Sequence, residues 1–152
     1  MSVSEQLRIW EADSDEGIRV CYPVMHELRP MYSLEEFLER VRMQRKLGYH
    51  LVCLEVSGKP VAVAGYQIRE TLVDGRFLHV DDLVALEVER SRGFGAKLLD
   101  WLIECAKELD CDSVQLDSAV RRGDAHRFYE REGLSRIAFH FSITTYEGPA
   151  PS

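Results

Sequence analysis

The stretch Arg90-Ser91-Arg92-Gly93-Phe94-Gly95, RSRGFG, decides the fold, because it joins two segments of different periodicity. Before it, Phe77 to Leu86 reads as a β-strand. After it, Leu98, Leu102, Cys105, Ala106 and Leu109 recur at helical spacing and predict a helix from about Gly93 to Leu109. Glycines and arginines at such a junction suit an anion. First-turn N–H groups lack acceptors within the helix, the dipole end is positive, and Gly93 and Gly95 let a ligand come close to the backbone. Arg90, Arg92 and Lys97 add charge. A plain strand-to-helix turn uses the same residue types, so the stretch alone does not assign a ligand. Two familiar phosphate loops are excluded: no GxxxxGK followed by Ser or Thr occurs, and Leu98 stands where the third glycine of GxGxxG belongs.

Working outward, a first strand covers Leu7 to Trp10. Asp13 and Glu16 make a capping-box-like start to a helix with Ile18, Cys21, Tyr22 and Met25 on one face, and Pro30 stops it. Ser33 with Glu36 repeats the capping pattern ahead of Leu34, Phe37, Leu38 and Val41, and that helix ends near Gly48. Leu51 to Val56 and Pro60 to Ile68 read as strands joined by Ser57-Gly58-Lys59, and Asp74-Gly75 turns into the strand Phe77 to Leu86. Along that strand Leu78 and Val80 give way to Leu83 and Ala85. The parity switches across Asp81-Asp82, as an inserted bulge residue produces. Downstream, Ser113 to Val120 is a strand, Asp124 caps a helix through Glu132 that Gly133 terminates, and Ile137 to Tyr146 is a last strand. The order β α α β β β α β α β is that of a mixed α/β layer fold.

Composition sets the class. At 152 residues and 45% hydrophobic, the chain suits one globular domain, 1–146, with a flexible tail at 147–152. Cys21, Cys53, Cys105 and Cys111 form no CxxC pair and read as reduced core thiols, which implies a reducing compartment. The N-terminal stretch lacks a signal-peptide pattern and no apolar run is long enough for a membrane span, so a cytoplasmic protein is expected. The net charge of −7 argues against general nucleic-acid binding. It is uneven: residues 1–89 hold sixteen acids against ten Lys/Arg, whereas 90–97 holds Arg90, Arg92 and Lys97 and no acid. A basic pocket in an acidic protein fits a small anionic ligand and a cationic second substrate.

About thirty residues beyond RSRGFG comes Ala125 to Leu134, AHRFYEREGL. Ala125, Phe128 and Tyr129 at i, i+3 and i+4 can simply be a core face. Together the two segments resemble the GCN5-related N-acetyltransferase (GNAT) family across nearly the whole chain. Arg90 to Gly95 matches its Q/R-x-x-G-x-G/A acyl-CoA pyrophosphate loop. Ala125, Phe128, Tyr129 and Gly133-Leu134 match its A-x-x-F/L-Y-x-x-x-G-F/L segment.

The resemblance implies a mostly antiparallel central sheet with a splayed parallel strand pair and flanking helices, and direct acetyl transfer from acetyl-CoA to an amine without a metal. It implies that the N–H groups of Arg92, Gly93, Phe94, Gly95 and Ala96 hold the CoA pyrophosphate, with Arg90, Ser91, Arg122, Ala125 and Phe128 also on the CoA side. Leu83, Val84 and Ala85 run beside the pantetheine, which adds to the splayed edge like a strand. Tyr129 becomes the general acid for the departing thiolate, since a phenol is protonated at neutral pH. The group that deprotonates the amine stays open among Asp81, Asp82, Glu87, His79 and His140. Asp81 and Asp82 rank first, because adjacent carboxylates beside a bulge cannot both face solvent in a regular pleat, and Asp117 can assist from the neighbouring strand. Two positions depart from the family pattern: Arg122 replaces a common asparagine and Glu87 a common proline, so Arg122 is expected to reach a CoA phosphate alongside Arg127. No cysteine lies in either motif, which argues against a covalent intermediate.

The acceptor is expected to be a small primary amine met by His26 to Ser33 and Ile137 to Tyr146, with a protein amine as the alternative. A catalytically silent CoA-binding sensor and an unrelated nucleotide-binding protein are the rivals from other classes. A homodimer is expected, because Ala138 to Tyr146 would otherwise leave a hydrophobic edge.

Overall fold

Among the described residues, five strands form one sheet in the order β1-β2-β3-β4-β5. In the computed structural model, residues 5–118 and 122–145 are described, and they divide after Leu116 into two compact units. The first contains β1 (Leu7–Glu11), α1 (Asp15–Leu28), α2 (Leu34–Arg45), β2 (His50–Val56), β3 (Lys59–Thr71), β4 (Gly75–Ala85), a 3₁₀ turn (Glu87–Arg92), α3 (Phe94–Glu108) and β5 (Ser113–Leu116). The second contains α4 (Gly123–Arg131) and the segment after it. The sheet is antiparallel except for the β4–β5 pair, which is parallel and needs α3 as its crossover. This is the mixed α/β architecture expected.

Each sheet face has its own core. Ile18, Cys21, Val24 and Met25 of α1 and Phe37, Leu38 and Val41 of α2 pack with Leu51, Cys53, Val63 and Val84. Phe94, Leu98, Leu102 and Ala106 of α3 pack with Val52, Leu54, Ala62, Ala64, Leu78 and Val80 on the other face. The capping box that starts α2 is complete: the Ser33 hydroxyl accepts from the Glu36 N–H, and the Glu36 carboxylate accepts from the Ser33 N–H. Ser57 (φ 48°) and Gly58 (φ 83°) make the tight turn between β2 and β3.

Several local expectations change. Ser14, not Asp13, caps α1, its hydroxyl accepting from Gly17 N–H. Asp124 lies in the first turn of α4, and the N-cap position is Arg122, which makes no side-chain capping bond. Leu109 is the C-cap of α3 and is 40% exposed rather than inward, because the helix stops one residue before it. β5 ends at Leu116; of the remaining predicted strand, Asp117 and Ser118 are not extended into the sheet, and positions 119 and 120 lie outside the described residues.

The largest correction is the last strand. Residues 137–145 form no strand, and Ile137, Phe139, Phe141 and Ile143 are 72%, 84%, 89% and 86% exposed. Tyr146 lies outside the described residues. Alternation reports which side chains would share a face, but a strand also needs a neighbour for its N–H and C=O groups. Within the second unit the described residues offer only α4, so the pattern has no ladder to join.

Leu98 is fully buried at the centre of the α3 face. Leu98→Ala is expected to cost about 2–5 kcal/mol through lost burial and a residual cavity. Chemical denaturation monitored by circular dichroism measures this.

Candidate active site

β4 is paired along its whole length on one edge and along only part of the other. Towards β3 the register runs from Thr71↔Gly75 to Ala62↔Ala85. Towards β5 it runs only from Phe77↔Ser113 to Val80↔Leu116. From Asp81 onward, the second edge has no strand partner among the described residues. Leu83 and Ala85 therefore present N–H and C=O groups to whatever enters beside them, as an extended ligand needs, whereas Val84, in step with Leu86, whose N–H donates to Val61, turns its own towards β3.

The bulge sits at the same point. Tyr66 faces Val80 and Gly65 faces Asp82, which leaves Asp81 as the extra residue. Leu78, Val80, Leu83 and Ala85 consequently all pack towards α3, as the parity switch predicts. The acidic pair faces the α1 and α2 side instead. Asp82 accepts from Arg29 Nε at 3.1 Å and from Tyr49 Oη at 2.7 Å. Asp81 accepts from Gln67 Nε2 at 2.9 Å and meets His79 Nδ1 at 2.7 Å. Burial pushes the Tyr49 phenol well above its ordinary range, and the charges of Asp82 and Asp81 push it further, so Tyr49 stays neutral and donates.

Gly65 makes this arrangement possible. A Cβ there would lie 1.7 Å from Tyr49 Oη, so only glycine lets the phenol cross β3 and reach Asp82. Arg29 lies in the His26 to Ser33 stretch expected to meet the acceptor, whereas Tyr49 lies in none of the expected site segments. The register pairs Gly65 with Leu51, so nothing in the sequence marks Tyr49, just before β2, as the side chain that crosses β3 at the glycine.

The RSRGFG stretch divides between the 3₁₀ turn and α3. Gly93 has φ 76°, the left-handed region that glycine occupies without strain, and a Cβ there would meet nothing within 4 Å. α3 has no side-chain cap and no acidic residue in its first turn, so its leading N–H groups and dipole are available to an anion. The Arg92 side chain is otherwise engaged. It pairs with Glu5 and Glu89 and lies over the Phe94 ring, 4.9 Å from its centroid. Arg90 and Lys97 are exposed. An anion here therefore meets backbone N–H groups first, and these residues fit a pyrophosphate.

Glu87 has a structural partner: its N–H donates to Glu27 Oε1 at 2.9 Å. In the second unit, Ala125, Phe128 and Tyr129 are partly buried on α4, with the Phe128 and Tyr129 rings edge to face. Burial raises the Tyr129 phenol above its ordinary value, and the charge of Arg122 opposes that rise. The group is thus protonated at neutral pH. Arg127 pairs with Asp124, and His140 Nδ1 lies 3.8 Å from Asp117 Oδ2.

Residues 10–134 match the Acetyltransferase (GNAT) family. The chain is 36% identical over 109 residues to the uncharacterized N-acetyltransferase YhdJ of Bacillus subtilis, covering 71% of this chain and 77% of that one. It is 30% identical over 114 residues to the glucosamine 6-phosphate N-acetyltransferase of Arabidopsis thaliana, covering 71% and 74%. Its fold also matches that of the aminoglycoside N-acetyltransferase AAC(6')-Iy in complex with CoA, with a TM-score of 0.83 at 12% identity over 95% of this chain and 98% of that one. The protein belongs to the GNAT family and is an acetyl-CoA-dependent N-acyltransferase acting on amines. No helix among the described residues is long and apolar enough to cross a membrane.

Gly65→Ala is expected to cost about 1–3 kcal/mol by overpacking. Tyr49→Phe is expected to cost about 1.5–3 kcal/mol by removing a bond to a charged group. Because both act on the Tyr49–Asp82 contact, the double variant should lose less than the sum of the two, which a double-mutant cycle by urea unfolding tests.

Proposed function

We propose that the enzyme transfers acetyl from acetyl-CoA directly to the primary amine of a small molecule, with Tyr129 protonating the departing thiolate. The observation that carries this reading is the position of the acidic pair. Asp81 and Asp82 stand on the α1 and α2 side of the sheet, at the point where β4 parts from β5. Negative charge there attracts a cationic amine, and the open edge from Leu83 to Ala85 takes the pantetheine beside it.

In this reading the N–H groups of Arg92 to Ala96 hold the pyrophosphate. Arg90, Ser91 and Arg122 add polar or cationic contacts, and Ala125 and Phe128 line the same substrate. Residues 1–146 work as one acetyltransferase domain, which the family match across both units supports. A small acceptor is supported by the relatives named for glucosamine 6-phosphate and aminoglycosides. The protein works as a cytoplasmic homodimer, a reading supported by four free cysteines and by the exposed apolar run from Ile137 to Ile143.

The test has two stages. CoA and acetyl-CoA should raise the melting temperature in a concentration-dependent way, whereas ATP and NAD should not. Transfer is then assayed against glucosamine 6-phosphate, an aminoglycoside and peptides with free N-termini. Turnover on a small amine supports the proposal, turnover on peptides alone overturns the acceptor class, and CoA binding without any turnover overturns the enzyme reading for these acceptors. Tyr129→Phe should lower kcat about 10²–10⁴-fold while the dissociation constant for CoA holds. Because Tyr129 acts in its protonated form and its pKa is raised, wild-type activity should persist to a pH above the ordinary phenol range and fall only beyond it.

A further inference from the structure

We infer that the acceptor carries an anionic group, a phosphate or a carboxylate, besides its primary amine, and that Arg29 binds that group. The inference deepens the small-amine reading above and rests on it. Its basis is how the Arg29 guanidinium is used. Nε and Nη2 both lie 3.1 Å from Asp82 Oδ1, and Nη2 is 3.5 Å from the Asp81 carbonyl oxygen. A guanidinium has five N–H donors in one plane. The two on Nη1 have no partner among the described residues, and the side chain is 38% exposed. One edge of the fork is fastened to β4 and its far end is open to a ligand.

The fastening orients the group in advance. Asp82 is itself held by the Tyr49 phenol at 2.7 Å. Arg29 is the C-cap of α1, its N–H donates to the Met25 C=O at 2.8 Å, and Pro30 restricts its backbone from the other side. The loop that follows is tied back by the Tyr22 hydroxyl, which donates to the Tyr32 C=O at 2.7 Å. An arginine fixed in this way loses little side-chain freedom when an anion arrives. Charge-assisted bonds from Nη1 to an oxyanion then contribute nearly their full strength.

The charges nearby suit an acceptor with both signs. Asp81 and Asp82 bring two negative charges and Arg29 one positive, so the bulge still attracts an ammonium while it offers a cation to the other end of the molecule. The remaining groups on this side are committed elsewhere or add to the same pattern. Gln67 and the neutral Tyr49 each donate to one of the two carboxylates, and His79 meets Asp81. Glu27 accepts from the Glu87 N–H, and His26 packs against the Tyr22 ring. Arg40 of α2 lies over the Tyr32 ring, 5.0 Å from its centroid, and brings a second positive charge to the loop after Arg29. A plain alkylamine would satisfy only the acidic half of this arrangement. A small amino acid or a phosphorylated amine satisfies both halves.

The experiment compares small amines in matched pairs with and without the anionic group, among them glucosamine 6-phosphate against glucosamine and β-alanine against β-alaninamide. Steady-state rates at saturating acetyl-CoA are measured for wild type, Arg29→Gln, Arg29→Ala and Arg29→Lys, each checked for folding by circular dichroism and for CoA affinity. Wild type should favour the anionic member of a pair by roughly 10–100-fold in kcat/KM, with the difference lying in KM, and the preferred pair tells phosphate from carboxylate. Arg29→Gln and Arg29→Ala should erase the preference by raising KM for the anionic member, while the neutral member and CoA affinity change little. Arg29→Lys should keep part of it, because lysine retains the charge without the fork. Added salt should weaken the wild-type preference. The wild-type comparison stands even where a variant fails to fold. No preference in any pair, a preference that survives in Arg29→Gln, or an Arg29→Gln enzyme that loses both members of a pair alike overturns the assignment and leaves acetyl transfer standing. Wild type without transfer to any amine overturns both.

Discussion

The site depends on one mismatch in hydrogen-bonding length. β4 is held by β3 through ten residue pairs but by β5 through only four. A strand with one satisfied edge and one partly open edge is rigid and still able to pair, which is what an extended acyl carrier requires. The α3 N-terminus follows within a few residues of the open stretch. An extended ligand lying along β4 would run towards the uncapped N–H groups at the start of α3. The parallel pairing also explains why α3 is there at all, since parallel strands need a long crossover.

The bulge turns that edge into a two-sided device. Inserting Asp81 keeps Leu78, Val80, Leu83 and Ala85 on the α3 face while Asp81 and Asp82 both address the opposite face. Without it, one of the two carboxylates would point into the apolar layer beneath α3, where an unpaired charge is costly. The acidic pair then separates into two environments. Arg29 at the end of α1 and Tyr49 at the start of β2 fasten Asp82, linking three elements across the sheet, and Gly65 provides the gap through which the phenol passes. Asp81 faces His79 and Gln67. Two adjacent residues of identical chemistry thus differ in what they can do because their partners differ.

The amino-acid sequence was sufficient wherever the governing interaction is local or periodic. The capping box at Ser33 and Glu36, the tight turn at Ser57-Gly58, the inward stripes of α1, α2 and α3, and the parity switch at Asp81-Asp82 all arise from neighbours a few residues apart. Family membership was legible for a related reason, because the pyrophosphate loop and the tyrosine segment are contiguous motifs whose spacing follows from the elements between them. Where local signals compete, sequence does not choose between them: Ser14 and Asp13 are both good caps, and only the backbone geometry selects Ser14.

Tertiary structure decided what distant residues do to one another. The alternation from Ile137 to Ile143 encodes a strand-like surface, yet whether it becomes a strand depends on a neighbouring ladder that no property of the segment itself can supply. The distinction between Asp81 and Asp82 likewise comes from Arg29 and Tyr49, which stand 53 and 33 residues away from Asp82 in the chain. Sequence by itself determined most of the elements, the glycine-bearing strand-to-helix junction and the place of the bulge, because propensity, capping and periodicity act over one or two turns. The partners of each carboxylate, and so their separate chemistry, were set only when sheet register brought remote side chains within hydrogen-bonding distance.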